Sequence, residues 1–225
     1  MTARHRFGLI AAIIVFGATS HGCQQIVERG EPTNTATETA LQKNTKAPRH
    51  VLLMRHAEKP LDDTDIHLTS RGAARAAALP SLFAIPPTFP TKPAAFPTPD
   101  FLIAAKVSKR SNRSIETLTP LAKALEKPID YKHADRDFAL VVDHIFDDPK
   151  YAGTTVLIAW HHGNLPELAL AISAKAKNGD KLKTEIPMHL GGSVYDRVWV
   201  ITFDDSRNAT FADQPQKLLF GDSKK

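Results

Sequence analysis

Residues 154–160 read TTVLIAW, an uncharged run of seven that begins after Gly153 and ends against His161-His162-Gly163-Asn164. A run this short, this apolar and this rich in β-branched residues predicts a strand buried on both faces, as in a parallel sheet. Residues 50–56, HVLLMRH, have the same character and likewise end in charge. So do residues 101–106, FLIAAK. Shorter strands are expected at 129–131 and, as the last of the series, at 198–203. Between them the period changes. Residues 70–83 are alanine-rich and helical, closed by Pro86-Pro87. Residues 112–126 place Ile115, Leu118, Leu121, Ala122 and Leu125 on one helical face. Helices are also expected at 134–146 and 165–174. Strands alternating with helices predict an α/β domain over residues 48–225, with a mostly parallel sheet covered by helices on both faces.

The chain has 225 residues, 42% apolar and 24% charged, which excludes collagen-like, wholly disordered and polytopic membrane classes. Its net charge of +5 is not gathered into one basic stripe, so nucleic acid is not an expected partner. The single cysteine, Cys23, excludes a disulfide framework and a cysteine-based zinc cluster. It also lies ahead of the predicted domain, which argues against thiol catalysis.

Residues 1–23 read as a signal peptide. Arg4, His5 and Arg6 precede an uncharged run too short to span about 30 Å of hydrocarbon but of signal-peptide length, and Ala18-Thr19-Ser20 offers a small-x-small cleavage pattern. Ser20-His21-Gly22-Cys23 resembles a bacterial lipobox at Gly22 and Cys23 and departs from it at Ser20 and His21. Lipidation of Cys23, with a membrane anchor, stands beside ordinary cleavage as an alternative. Residues 24–47, rich in Thr, Asn, Glu and Gln, read as a flexible tether. The reading is a protein exported to the periplasm or cell envelope. Residues 80–99 hold seven prolines and are expected to form an extended loop at the pocket mouth.

In open α/β sheets the ligand site lies beyond the carboxyl ends of the strands. That rim carries Arg55-His56-Ala57-Glu58-Lys59, Asn112 to Thr117 with Arg113, and His161-His162-Gly163. Two arginines, at least two histidines and helix N-termini make a pocket for an oxyanion such as phosphate.

Four segments, in order, carry a resemblance. Arg55-His56 follows the first strand, Leu68-Thr69-Ser70-Arg71-Gly72 opens the first helix, Ser111-x-Arg113-x-x-x-Thr117 opens the second, and His162-Gly163 follows the TTVLIAW strand. Over residues 50–203 the chain thereby resembles the histidine phosphatase superfamily, the fold of phosphoglycerate mutases and histidine acid phosphatases. The resemblance implies a phosphoglycerate mutase-like three-layer sandwich and a phosphatase that needs no cofactor and no metal. It makes His56 the nucleophile and phosphohistidine carrier, with Arg55, Arg113 and His162 holding the phosphate oxygens. The substrate would be a small-molecule or peptide phosphate ester. Mutase activity is disfavoured, because Ala57-Glu58-Lys59-Pro60 stands where mutases continue Gly-Glu-Ser-x-x-Asn.

The general acid is the weak point of the resemblance. The position after the second histidine, aspartate in the acid phosphatase branch, is Gly163. Glu58 is the first candidate, followed by Asp137 and Glu167, and Glu58 could instead orient Arg113. With no obvious acid, the alternative is a phosphate- or anionic-ligand-binding lipoprotein of the same fold with little or no turnover. His161 reads as a strand-facing or supporting histidine and Lys59 as solvated. Asp62, Asp63 and Asp65 read as a polar loop, and Gly191-Gly192-Ser193 as a plain turn before the last strand. Trp160 fits core packing or a pocket wall equally.

Overall fold

The computed structural model describes residues 47–62, 64–85 and 94–223. The leader, Cys23 and nearly all of the tether lie outside the described residues, as do Asp63 and the part of the proline-rich stretch that includes Pro86-Pro87. Among the described residues, no helix is long and apolar enough to cross a membrane.

Among the described residues six strands form one sheet: β1 (His50–Arg55), β2 (Phe101–Ala104), β3 (Ile129–Asp130), β4 (Thr155–Trp160), β5 (Arg197–Phe203) and β6 (Ala209–Pro215), in the order β3-β2-β4-β1-β5-β6. β3, β2, β4 and β1 are mutually parallel, while β5 and β6 extend the sheet antiparallel. The helices are α1 (Ser70–Ala78), α2 (Arg113–Leu125), α3 (Phe138–Asp147), α4 (Leu165–Ser173) and α5 (Gly179–Glu185).

Alternation along the strands divides the core into two layers. Val51 and Leu53 of β1, with Val156 and Ile158 of β4, pack against α3, α4 and α5 through Val141, Ile145, Leu168 and Leu182. Leu52, Met54, Leu157 and Ala159 face the other way, onto Leu118 and Leu121 of α2 and onto Leu79 and Leu82. Helices therefore cover both faces.

Three differences from the sequence expectation have local causes. The helix expected through 83 tightens after Ala78 into a 3-10 turn, Leu79–Leu82, with Pro80 in its first turn. The helix expected from 134 starts at Phe138, because residues 134–137 make a turn in which the Asp137 amide donates to the Ala134 carbonyl (2.8 Å). Two elements carry too little apolar signal to be read beforehand. α5 buries only Gly179 and Leu182, and β6 is a half-exposed edge strand ending at Pro215.

Candidate active site

β1 and β4 are central neighbours, in a register that pairs Arg55 with Trp160. The next residue of each strand therefore emerges at the same height on the rim. These residues are His56, whose amide donates to the Trp160 carbonyl (3.0 Å), and His161. Their rings meet edge-on, 5.2 Å between centroids.

His56 is 2% exposed, and its Nδ1 lies 2.7 Å from the carbonyl oxygen of Ala57. Only an Nδ1–H can make that contact, so Nε2 carries the lone pair. Burial pushes the imidazole down to about 2 against the hydrogen bond to Ala57, and His161, Arg55 and Arg113 act in the same direction. The ring is neutral across the physiological range.

The loop that holds this carbonyl is itself fixed. The Ala57 amide donates to Thr117 Oγ1 (2.8 Å), and that hydroxyl donates to the Arg113 carbonyl one turn back in α2 (2.7 Å). Ser111 Oγ accepts from the Arg113 amide (3.3 Å). Gly72 lets α1 approach, since a Cβ there would lie 2.5 Å from the Glu58 carbonyl oxygen. The Ser-x-Arg-x-x-x-Thr and Leu-Thr-x-x-Gly segments thus brace the residues after His56.

Arg55 is 1% exposed and faces residues 191–195. Nη1 donates to the carbonyls of Gly192 (2.7 Å) and Val194 (3.2 Å), and Nη2 donates to the Tyr195 hydroxyl (3.1 Å). The guanidinium also stacks 3.8 Å from the Tyr195 ring centroid. Residues 191–194 therefore present carbonyls to an arginine, where the glycines read as a plain turn. Nε of Arg55 is buried with no hydrogen-bond partner among the described residues, a donor that an oxyanion would satisfy. Arg113 is held by Nη1 to the Asp65 carbonyl (2.8 Å) and Nη2 to the Arg110 carbonyl (3.1 Å).

These groups share one cleft of about 710 Å3, also lined by Lys59, Arg110, Asp135, Arg136, Asp137 and His162. A cleft of similar volume runs along the outer edge of β3 and holds none of the motif residues. Among the described residues no group of three or more His, Cys, Asp or Glu side chains is placed to hold a metal ion.

Of the expected catalytic residues beside His56, His162 lines the same cleft and Glu58 does not. The motif points to His162 as the second histidine, but the ring packed on His56 belongs to His161, which read as a supporting residue. Burial and the neighbouring Arg113, His162 and Arg55 push His161 down to about 4. His162 lies further out, lowered by burial and then by Arg55, His189 and Lys59. Glu58 does not line the cleft. Its carboxylate is clamped by Arg75 (Nη2 at 2.8 Å) and Arg71 (Nε at 3.1 Å), and it does not orient Arg113. Both of its oxygens accept from guanidinium N–H groups, away from the cleft lining. Glu167 is exposed and also outside the cleft lining, while Asp137 lies within it.

Asp135, which no motif singles out, is the carboxyl group built into the cleft. Oδ2 accepts from Asn164 Nδ2 (2.7 Å), and the Asp135 carbonyl accepts from the indole of Trp160 (3.0 Å). Trp160 thus belongs to the core and also anchors the cleft wall. Oδ1 of Asp135 is buried with no hydrogen-bond partner among the described residues. Burial pushes its carboxyl above the ordinary carboxylate value, opposed in part by Asn164 and Arg136.

No family model matches the chain, and no curated protein matches it. Three of the solved structures that it is similar to are phosphatases or a mutase by description. One is assigned as the phosphohistidine phosphatase SixA from Agrobacterium tumefaciens, with 18% identity, 74% of this chain and 97% of that chain covered, and a TM-score of 0.43. Another is mycobacterial glucosyl-3-phosphoglycerate phosphatase Rv2419c with inorganic phosphate, at 12% identity, 74% and 95% coverage, and a TM-score of 0.44. The third is phosphoglycerate mutase from Bacillus anthracis str. Sterne, at 11% identity, 76% and 94% coverage, and a TM-score of 0.47.

Proposed function

We propose that this chain is a phosphomonoester phosphatase of the histidine phosphatase type, working through a phosphohistidine on His56. The observation that carries the reading is the contact from His56 Nδ1 to the Ala57 carbonyl, which fixes the tautomer and leaves the Nε2 lone pair for phosphorus on a ring that burial keeps neutral.

In the first step Nε2 attacks phosphorus and the bond to the ester oxygen breaks. Arg55, Arg113 and the imidazole of His161 hold the equatorial oxygens as charge shifts to the leaving group. Asp135, raised by burial, gives its proton to the departing oxygen. In the second step Asp135, now a carboxylate, takes a proton from water as that water attacks phosphorus. The P–N bond breaks and neutral His56 is restored. The clamped Glu58 has no part in either transfer. The leader and Cys23 support the further proposal that the enzyme works outside the cytoplasm, lipid-anchored if Cys23 is modified.

The test is hydrolysis of p-nitrophenyl phosphate and of an alkyl phosphate by the purified full-length protein, with His56→Ala and Asp135→Asn. The reading expects turnover of both esters, abolished in the first variant. In the second, the alkyl ester should suffer far more than the aryl ester, whose leaving group needs little proton help. No turnover with tight phosphate binding would favour an anion-binding lipoprotein instead.

A further inference from the structure

The cleft holds more positive charge than one phosphate group requires. Its charged lining comprises five cations (Arg55, Lys59, Arg110, Arg113 and Arg136) and two carboxylates, Asp135 and Asp137. Arg55 and Arg113 suffice for the phosphoryl oxygens. Arg110 and Arg136 line the same cleft, and neither has a carboxylate within ion-pairing distance among the described residues.

Both side chains spring from anchored backbone. Arg110 sits in a tight turn closed by the bridge between Ser108 and Ser111 (amide to carbonyl, 2.9 and 3.3 Å), and its amide donates to Ser108 Oγ (3.2 Å). The Arg110 carbonyl holds Arg113, so its position is tied to the phosphate arginine. Arg136 lies in the turn closed by Asp137 and Ala134, directly after Asp135, whose carbonyl is pinned by Trp160. These two arginines therefore flank the cleft at fixed stations, one beside Arg113 and one beside the proposed proton donor. Carboxylates and phosphates are the groups that guanidinium forks bind best.

We propose that the substrates are phosphomonoesters bearing a second anionic group, a carboxylate or a further phosphate, which is received by Arg110 and Arg136. The proposal rests on the phosphatase reading and names the substrate class of that same cleft.

The test uses two matched pairs of esters that differ in the second anionic group. Glycerol 3-phosphate is compared with 3-phosphoglycerate, and fructose 6-phosphate with fructose 1,6-bisphosphate, with p-nitrophenyl phosphate as reference. The wild-type protein should prefer the doubly anionic member of at least one pair by about fivefold or more in kcat/KM, mainly through KM. The Arg110→Gln, Arg136→Gln double variant should bring that ratio close to one, and the double lysine variant should retain part of it. If p-nitrophenyl phosphate is hydrolysed while both ratios stand at or below one, the proposal is overturned and the phosphatase reading survives. A ratio that the double glutamine variant leaves unchanged overturns it equally. If no ester is hydrolysed, the phosphatase reading itself fails, and this proposal with it.

Discussion

The amide of Ala57 donates to the hydroxyl of Thr117 across 2.8 Å, with both residues fully buried. One side of this bond is the loop whose carbonyl fixes His56, and the other is the helix that begins with Arg113. The proposed nucleophile and a proposed phosphate-binding arginine are thereby set relative to each other by one side-chain hydroxyl.

Thr117→Val keeps the volume and removes the acceptor, leaving the Ala57 amide buried without a partner. The expected cost is about 1–3 kcal/mol of stability, together with a loss of kcat/KM from a displaced His56. Thr117→Ser should restore most of both. Urea unfolding and steady-state kinetics on the three proteins check this, and an unperturbed valine variant would mean that the bond does not position the loop.

Asp135 predicts a particular pH profile. A general acid acts in its protonated form, and burial raises its titration above the ordinary carboxylate value. For an alkyl phosphate, kcat/KM should therefore hold at low pH and fall as pH rises through that raised value. The limb should be absent in Asp135→Asn and weak for p-nitrophenyl phosphate. His56, held down to about 2, contributes no limb between pH 4 and 9. A pH–rate series on both esters decides the matter; identical profiles would remove Asp135 from the mechanism.

The clamp around Glu58 is expected to act on stability. Arg75, 2% exposed, binds Glu58 and Asp222, joining the loop after His56 to α1 and to the C-terminal segment. Burial opposes ionisation of Asp222. Hydrogen bonds from Arg75 and the Leu219 amide outweigh it and bring the carboxyl down to about 2. A folded-state value below the unfolded value of roughly 3.9 stabilises the fold above that unfolded value, and the gain is lost as pH falls through 2. Asp222→Asn should thus cost about 2–3 kcal/mol at pH 7, a deficit that narrows below pH 4 and closes near pH 2. Chemical denaturation of wild type and variant across that range measures it; a gap independent of pH would point to packing rather than charge.

Tyr195 is expected to position Arg55. Tyr195→Phe keeps the stacked ring and removes the acceptor at 3.1 Å, so KM should rise a few-fold with kcat little changed. Tyr195→Ala removes both contacts and should weaken inhibition by inorganic phosphate by about tenfold or more. Equal kinetics in all three proteins would show that residues 191–194 hold Arg55 unaided.

The parallel core was legible because β1, β2 and β4 are short apolar runs ending in charge, and α2 because its apolar residues recur at helical spacing. α5 and β6 were not, since one or two buried residues make no period. Arg55, His56 and Arg113 could be placed on one rim because each follows or opens a readable element. The choice between His161 and His162 could not be made from the His-Gly dipeptide. It depends on strand register, which aligns Arg55 with Trp160 and so brings up the next residue of each strand. Glu58 looked like an acid because its partners, Arg71 and Arg75, lie on the next helix, and no local pattern announces a clamp. Asp135 sits in a polar loop, and only burial distinguishes it from Asp137.

The most direct test of the account is to trap the intermediate. Rapid alkaline quenching of the full-length protein with p-nitrophenyl phosphate, followed by peptide mapping, should find a phosphoryl group on the peptide carrying His56, labile to acid and stable to base. It should be absent in His56→Ala and should accumulate when second-step hydrolysis is slowed. Turnover that persists in His56→Ala, or a phosphoryl group found on another residue, would contradict the central claim.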